Sequence, residues 1–444
     1  MAGDTSKPGA SRRRALLHFE ETTDLRNSAT PPFASALSQP LAEGVSSIYG
    51  SLAPFGSPAF AMRDALDIAA STAPFVADPV AGWRASGSLW TAQRFALRVP
   101  RAWNGRLVVA GCPGQRTEFA CDRLFGDALV ARGYAYICGN KGNGDGAIAL
   151  LPGAHVEVEG AALPRFPLPD GRTLIFWQHA PGHTMERWLD ETIELTNLAR
   201  EFVETVCGRE PELTYAIGLS NGGYQVRRAI EESDLFAGAL TWNAVLWSSR
   251  FDTIFALAEA VNAMERGQLQ RLVEIGFPPD VAAASGDGSL YRKNLFVYWY
   301  VTLWLHAVHL DPETSIAYGD VSDPAAAEAW FARISQWRSD RSPAIARRIE
   351  RFENTGAIRC KLIELASEFD HLTPPRLHFD PYRAMVEQSG KSAGYRGRTI
   401  AGAQHVDSWA DDPLYPQMRP GLPDVLDAWD ELVTWVEGGR VQSR

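Results

Sequence analysis

Residues 213–223 have the sequence Leu213-Thr214-Tyr215-Ala216-Ile217-Gly218-Leu219-Ser220-Asn221-Gly222-Gly223. The first five residues form a short apolar run that is typical of a buried strand, and residues 224–232 can continue as a helix. A serine between them occupies a tight strand-to-helix turn, where its neighbours must be small because the backbone is crowded. Gly218 and Gly222 meet that requirement, so Ser220 is predicted to project its hydroxyl from the turn.

Short apolar strands alternate with helices along most of the chain. Strands are predicted over residues 89–99, 107–110, 134–138, 213–217, 237–245 and 360–365, and helices over residues 125–132, 185–206 and 224–232. This alternation implies right-handed strand-helix-strand crossovers, which build a mostly parallel sheet with helices on both faces. The sequence therefore predicts a doubly wound α/β fold.

A mainly helical segment interrupts the alternation between residues 250 and 352. Because it is too long for a connection within a compact sheet, we predict that it is a large helical cap inserted into the α/β core. The core then consists of residues 59–249 and 353–444. Residues 1–58 are rich in Ser, Ala, Pro and Gly, which predicts an N-terminal arm that is partly disordered or draped over the core.

Residues 295–305 are the most apolar part of the predicted cap. A bilayer span needs about 20 such residues, so a buried cap helix is the better interpretation, and no stable membrane insertion is expected. Four aromatic side chains of this run either line a pocket for a bulky apolar or aromatic substrate or form the core of the cap. They are Phe296, Tyr298, Trp299 and Trp304.

The charge and the cysteines exclude several classes of function. The net charge is −10, from 43 Lys and Arg against 53 Asp and Glu, so a nucleic-acid partner is not expected. The five cysteines are scattered without a C-x-x-C pair, which predicts neither a disulfide framework nor a zinc site. Residues 11–17 look like the start of an export signal, but no apolar segment follows them. We expect no cofactor, no metal and a cytoplasmic location.

In its strand-turn-helix context, the G-x-S-x-G pentapeptide at residues 218–222 resembles the nucleophile elbow of the α/β-hydrolase superfamily. The resemblance covers residues 89–436, apart from the cap. It implies an α/β-hydrolase fold in which Ser220 is the nucleophile. It also implies that an acid and then a histidine follow the serine along the chain.

The family's chain order assigns the other two members of a catalytic triad. Asp370 follows the predicted strand at residues 360–365, and His405 lies in the loop that looks like the one carrying the base. The identity of the acid stays open, because three other carboxylates lie nearby in the sequence. They are Glu368, Asp380 and Asp407.

The resemblance also implies a role for each residue. A serine hydroxyl is a poor nucleophile without a base, so His405 takes the proton of Ser220 while Asp370 holds the imidazole in one tautomer. The backbone N–H groups of Asn221 and Cys112 are expected to form the oxyanion hole, with Gly111 as the alternative to Cys112.

These residues imply a carboxylic-ester hydrolase of the serine esterase or lactonase type, which acts on a small-molecule ester through an acyl-serine. Residues 99–109 also look like the entry strand of bacterial tannase-like and hydroxybutyrate-oligomer esterases, although Leu219 stands where tannases have cysteine. An acyltransferase with the same triad and a non-catalytic ligand-binding protein of the same fold are the alternatives. The oligomeric state stays open between a monomer and a homo-oligomer.

Overall fold

The structure is a computed structural model that describes residues 15–26, 45–47, 76, 78–90, 93–114, 118–141, 147–150, 165–167, 173–176, 185–251, 253–281, 289–294, 299, 302–303, 306, 310, 343–407, 410 and 412–438. The strands in these residues are β1 (Ala15–Thr22), β2 (Val45–Ser47), β3 (Gly82–Trp90), β4 (Gln93–Pro100), β5 (Arg106–Gly111), β6 (Ala135–Gly139), β7 (Ala147–Leu150), β8 (Arg165–Pro167), β9 (Thr173–Phe176), β10 (Leu213–Leu219), β11 (Gly238–Trp242), β12 (Lys361–Ser367) and β13 (Tyr395–Ile400). They form a nine-stranded sheet in the order β1-β3-β4-β6-β5-β10-β11-β12-β13 and a four-stranded sheet in the order β2-β7-β9-β8.

The nine-stranded sheet is mostly parallel. Strands β6, β5, β10, β11, β12 and β13 pair in parallel, and β1, β3 and β4 add an antiparallel edge. Every residue of β10 is buried, because parallel strands in such sheets are covered on both faces. The predicted fold class, an α/β-hydrolase fold built on a mostly parallel sheet, is confirmed.

Nine α-helices lie in the described residues, and some of them cover both faces of this sheet. They are α1 (Asp127–Ala131), α2 (Arg187–Cys207), α3 (Asn221–Glu232), α4 (Thr253–Glu265), α5 (Leu269–Ile275), α6 (Leu290–Asn294), α7 (Pro343–Ile349), α8 (Pro375–Gln388) and α9 (Leu422–Glu437). Successive side chains of a strand point to opposite faces. Tyr215 of β10 therefore packs in one core with Trp429 of α9, whereas the next residue, Ala216, packs in the other core with Val226 of α3.

Two stretches near the N-terminus differ from the sequence prediction. Part of the predicted arm forms β1, which pairs with β3 from Ala15 opposite Ser88 to Thr22 opposite Gly82. The single strand predicted at residues 89–99 is instead the antiparallel pair β3 and β4. The two residues between these strands lack the Gly or Asn that marks a tight hairpin, so no local signal separates the strands.

The described part of the predicted cap is helical and packs against the core. Helices α4 to α7 fall within residues 250–352. Their apolar side chains share a cluster with Tyr224 of α3 and with Trp247, which follows β11. The boundaries of the arm, the core and the cap stay predictions. None of the helices in the described ranges combines the length and the apolar character that a bilayer span requires.

Candidate active site

Ser220 lies at the turn between β10 and α3. Its backbone has φ 58° and ψ −125°, a conformation that residues other than glycine rarely adopt. The Ser220 N–H donates to the carbonyl of Trp242 at 3.0 Å, and the Ser220 carbonyl accepts the N–H of Val245 at 3.1 Å. A strained residue persists only where its surroundings hold it, and here β11 and the loop after it do so.

Glycines at the turn allow it to pack against the end of β5. A Cβ atom built on Gly218 would collide with the carbonyl of Gly222, and one built on Gly222 would collide with the carbonyl of Gly111. Backbone from three segments is thus in direct contact behind Ser220. The crowding explains why both glycines of the pentapeptide are needed.

Asp370 and His405 are in direct contact. The Nδ1 atom of His405 lies 2.8 Å from Oδ2 of Asp370, which is fully buried. With Nδ1 facing a carboxylate, the neutral ring carries its proton there and leaves Nε2 free as the base. Burial raises the pKa of Asp370, but the charge of His405 and the hydrogen bonds from His405 and Thr373 outweigh it, so this pKa lies below its ordinary value.

Thr373 supports this carboxylate and was not predicted from the sequence. Its hydroxyl donates to Oδ2 of Asp370 at 2.6 Å, and its N–H donates to Oδ1 at 2.8 Å. The N–H of Leu372 donates to the same Oδ1 at 2.8 Å. An aspartate whose oxygens accept N–H groups two and three residues later forms a compact local turn, and the spacing Asp-x-x-Thr is the signal that indicates it.

The other candidate acids are engaged elsewhere. Asp407 accepts the N–H groups of Gly421 at 2.8 Å and Leu422 at 2.9 Å, at the start of α9. Glu368 accepts the N–H of Gly402 at 2.8 Å. Asp380 is exposed. Of the four carboxylates, Asp370 alone contacts His405 in the described residues, so the geometry favours Asp370.

Asn243 connects the loops that carry the acid and the base. It follows β11 with a left-handed φ of 49°. Its Nδ2 donates to the carbonyl of His405 and to the hydroxyl of Ser367, both at 2.9 Å, and its Oδ1 accepts the N–H of Ser367 at 2.7 Å. Its carbonyl oxygen also lies 3.0 Å from the hydroxyl oxygen of Thr373. Asn243 was not predicted from the sequence. Asparagine is one of the few residues other than glycine that adopt a left-handed backbone conformation.

Ser220 lies at the same edge of the sheet as Asp370 and His405. Strands β10 to β13 are parallel neighbours, so the segments that follow them meet at their carboxyl ends. Among the described residues, the hydroxyl of Ser220 forms no hydrogen bond with His405. Catalytic hydrogen bonds are often long without substrate and tighten in the complex, so this geometry is compatible with a triad.

The two predicted oxyanion donors lie on either side of the elbow. Asn221 begins α3, and the first N–H groups of a helix have no partner within it. Cys112 directly follows β5, whose last residue, Gly111, lies opposite Gly218 of β10. Burial raises the pKa of the Cys112 thiol well above its ordinary value, so the thiol stays protonated. Cys112 is therefore suited to donate its backbone N–H rather than to act as a thiolate.

A narrow cavity of about 30 Å³ lies beside the elbow, with room for about two water molecules. Its wall includes Asn221, whose Oδ1 is buried without a hydrogen-bond partner in the described part of the chain. The remaining wall is mainly apolar and combines core residues with residues of the predicted cap. Examples are Leu246, Trp247, Ile254, Leu257, Phe277 and His306.

Trp299 is the one predicted substrate-binding aromatic residue that the structure describes. It is fully buried, and its indole N–H donates to the carbonyl of His371 at 2.9 Å. Its ring packs edge-on against Phe277 at 4.8 Å between centroids. Phe296, Tyr298 and Trp304 lie outside the described residues. Within the described ranges, no group of three or more His, Cys, Asp or Glu side chains is placed to bind a metal ion.

No family model and no curated protein matches the chain. An esterase from Aspergillus oryzae is similar in structure, with 12% identity and a TM-score of 0.47 over 96% of this chain and 87% of that chain. The tannin acyl hydrolase from Aspergillus niger has 14% identity and a TM-score of 0.44 over 82% and 80%. Feruloyl esterase B from Aspergillus oryzae has 14% identity and a TM-score of 0.40 over 82% and 82%. At identities and TM-scores this low, these similarities carry no conclusion about activity, which follows from the residues of the site.

Proposed function

We propose that this protein is a serine-dependent carboxylic-ester hydrolase that works through an acyl-serine intermediate. The observation that carries the proposal is the buried contact of 2.8 Å between His405 and Asp370, at the sheet edge where Ser220 occupies its strained turn. A buried, oriented imidazole next to a projecting serine is the arrangement that nucleophilic acyl transfer requires. No cofactor takes part in this chemistry.

The proposed steps use the residues of the site in turn. Nε2 of His405 takes the proton of Ser220 as Oγ attacks the ester carbonyl, and Asp370 stabilises the imidazolium that forms. The N–H groups of Asn221 and Cys112 donate to the oxyanion. His405 then returns the proton to the leaving alcohol, and the ester bond breaks to leave an acyl-serine. Water repeats the sequence and releases the acid.

The cavity beside the elbow supports a bulky apolar or aromatic ester or lactone as the substrate. Its apolar wall, which includes Ile254, Leu257 and Phe277, suits an apolar acyl group. A volume of about 30 Å³ is too small for such a group, so we expect α4 and its neighbours to move apart for binding.

All five cysteines are free thiols, which supports a reducing, cytoplasmic location.

Hydrolysis of p-nitrophenyl esters, from acetate to long-chain and aromatic acyl groups, tests the proposal. We expect turnover by the wild-type protein, and a loss of about 10³-fold or more in Ser220→Ala. Ser248→Ala is the matched control, because it removes a buried hydroxyl whose partner in the described part of the chain is the N–H of Arg250 at 3.1 Å. Equal turnover by the wild-type and Ser220→Ala proteins would contradict the assignment.

The same assay separates hydrolysis from acyl transfer, which uses the same triad and differs in excluding water from the acyl-enzyme. The small, mainly apolar cavity is the observation that favours transfer, because such a space admits little water. Products are therefore analysed with an added alcohol or thiol. A new ester or thioester in place of the free acid would identify an acyltransferase.

A further inference from the structure

Lys141 is a buried lysine directly behind the loop that carries Cys112. It follows β6, has a left-handed φ of 61° and is only 2% exposed. Its Nζ donates to the carbonyl of Cys112 at 2.6 Å and also to the carbonyl of Gly114. The same Nζ lies 4.6 Å from the centre of the Trp188 ring. Two carbonyls and an aromatic face thus surround the ammonium group.

The backbone of Lys141 is held in place from the other side. Its N–H donates to Oε1 of Glu191 at 2.8 Å, and the same oxygen accepts the side-chain amide of Gln93 at 2.6 Å. A Cβ atom on Gly139, at the end of β6, would clash with this carboxylate. Burial lowers the pKa of Lys141 and raises that of Glu191 to about 7. A buried lysine is costly, so its position against two loop carbonyls needs a reason.

We propose that Lys141 is a positioning residue that holds the oxyanion loop against the nucleophile elbow. Strand β5 ends at Gly111, so the carbonyls of Cys112 and Gly114 lie beyond it, and Lys141 binds both of them. The Cys112 carbonyl belongs to the peptide plane that follows Cys112, so holding it restricts rotation at this residue and thereby limits the movement of the preceding plane, which carries the Cys112 N–H. The inference rests on the proposed ester hydrolysis.

Positioning matters here because oxyanion donors act only when they are preorganised. A donor must lie about 3 Å from the place where the negative charge develops, and small displacements cost rate without weakening substrate binding. The loop already packs tightly on Gly222, so Lys141 holds it from the opposite side. Loss of this contact should therefore lower kcat and leave KM nearly unchanged.

The test compares Lys141→Met, Lys141→Arg and Glu231→Gln with the wild-type protein. We expect Lys141→Met to lose about 100-fold in kcat with KM within about threefold, and Lys141→Arg to recover part of the loss. Glu231→Gln perturbs a buried carboxylate that accepts the N–H groups of Thr355 and Gly356, away from Lys141 and the loop, so its Tm should fall while kcat stays within about threefold. Labelling of Ser220 by a fluorophosphonate should slow in Lys141→Met, because its transition state also develops an oxyanion.

Three outcomes would overturn the inference. The first is a folded Lys141→Met variant with wild-type kcat and labelling rate. The second is an equal loss of kcat in Glu231→Gln, which would indicate a general loss of stability. The third is a wild-type protein without Ser220-dependent turnover or labelling, which would refute the proposed function as well and is recognised before any variant is compared. If Lys141→Met does not fold, Lys141→Gln replaces it, with the same reduced kcat expected relative to Lys141→Arg.

Discussion

Replacing Asn243 by alanine should release the loop that carries the base. The substitution removes three short hydrogen bonds, to Ser367 Oγ, the Ser367 N–H and the carbonyl of His405, at 2.7 to 2.9 Å. Each contributes about 1 kcal/mol net, and alanine at a φ of 49° costs about 1 kcal/mol more than asparagine. We therefore expect the free energy of unfolding to fall by about 4 kcal/mol, a large share of the stability of a typical domain.

Activity should fall together with stability, because the carbonyl that Asn243 holds belongs to His405 itself. If the variant is still folded but His405 is displaced, its kcat should fall about 10- to 100-fold. Urea unfolding, followed by tryptophan fluorescence, measures the free energy of unfolding. Turnover of the best p-nitrophenyl ester measures kcat.

Asn243→Gly is the matched control for the backbone. It removes the same hydrogen bonds but accepts a positive φ, so it should be about 1 kcal/mol more stable than Asn243→Ala. Equal stabilities of the two variants would refute the assigned backbone cost. An alanine variant within 1 kcal/mol of the wild-type protein and with unchanged kcat would refute the whole account of Asn243.

Two other predictions concern the acid and the pH dependence of stability. Asp370→Asn should lose about 10³- to 10⁴-fold in kcat, whereas Asp407→Asn should keep its activity and lower only Tm; the reverse result would make Asp407 the acid. His378 accepts the N–H of Leu246, and burial together with Arg227 lowers its pKa to about 3. The unfolded ring binds a proton below about pH 6.5 and the folded ring does not, so this contribution is complete above pH 6.5 and about 2 kcal/mol of it is lost by pH 5. Urea unfolding of His378→Asn should show a shallower decline between those pH values than the wild-type protein, and parallel declines would contradict the assignment.

Features that depend on neighbouring residues could be predicted from the sequence. Alternating strands and helices, with apolar runs such as that of β10, indicated the α/β class because burial on both faces requires apolar side chains along the whole strand. The elbow at Ser220 was predictable for a similar reason. Gly218 is required by its contact with Gly222 within the same turn, and such a local contact leaves a short motif in the sequence.

Features that depend on residues far apart in the chain were settled only by the tertiary structure. The arm strand β1, the contact that singles out Asp370 among four carboxylates, and the contacts of Thr373, Asn243 and Lys141 all belong to this group. Asn243 holds a residue 162 positions away, and Lys141 holds one 29 positions away. Such contacts arise from strand order and register, which bring loops together at one edge of the sheet. The sequence around a buried polar residue does not indicate which distant residue it will contact.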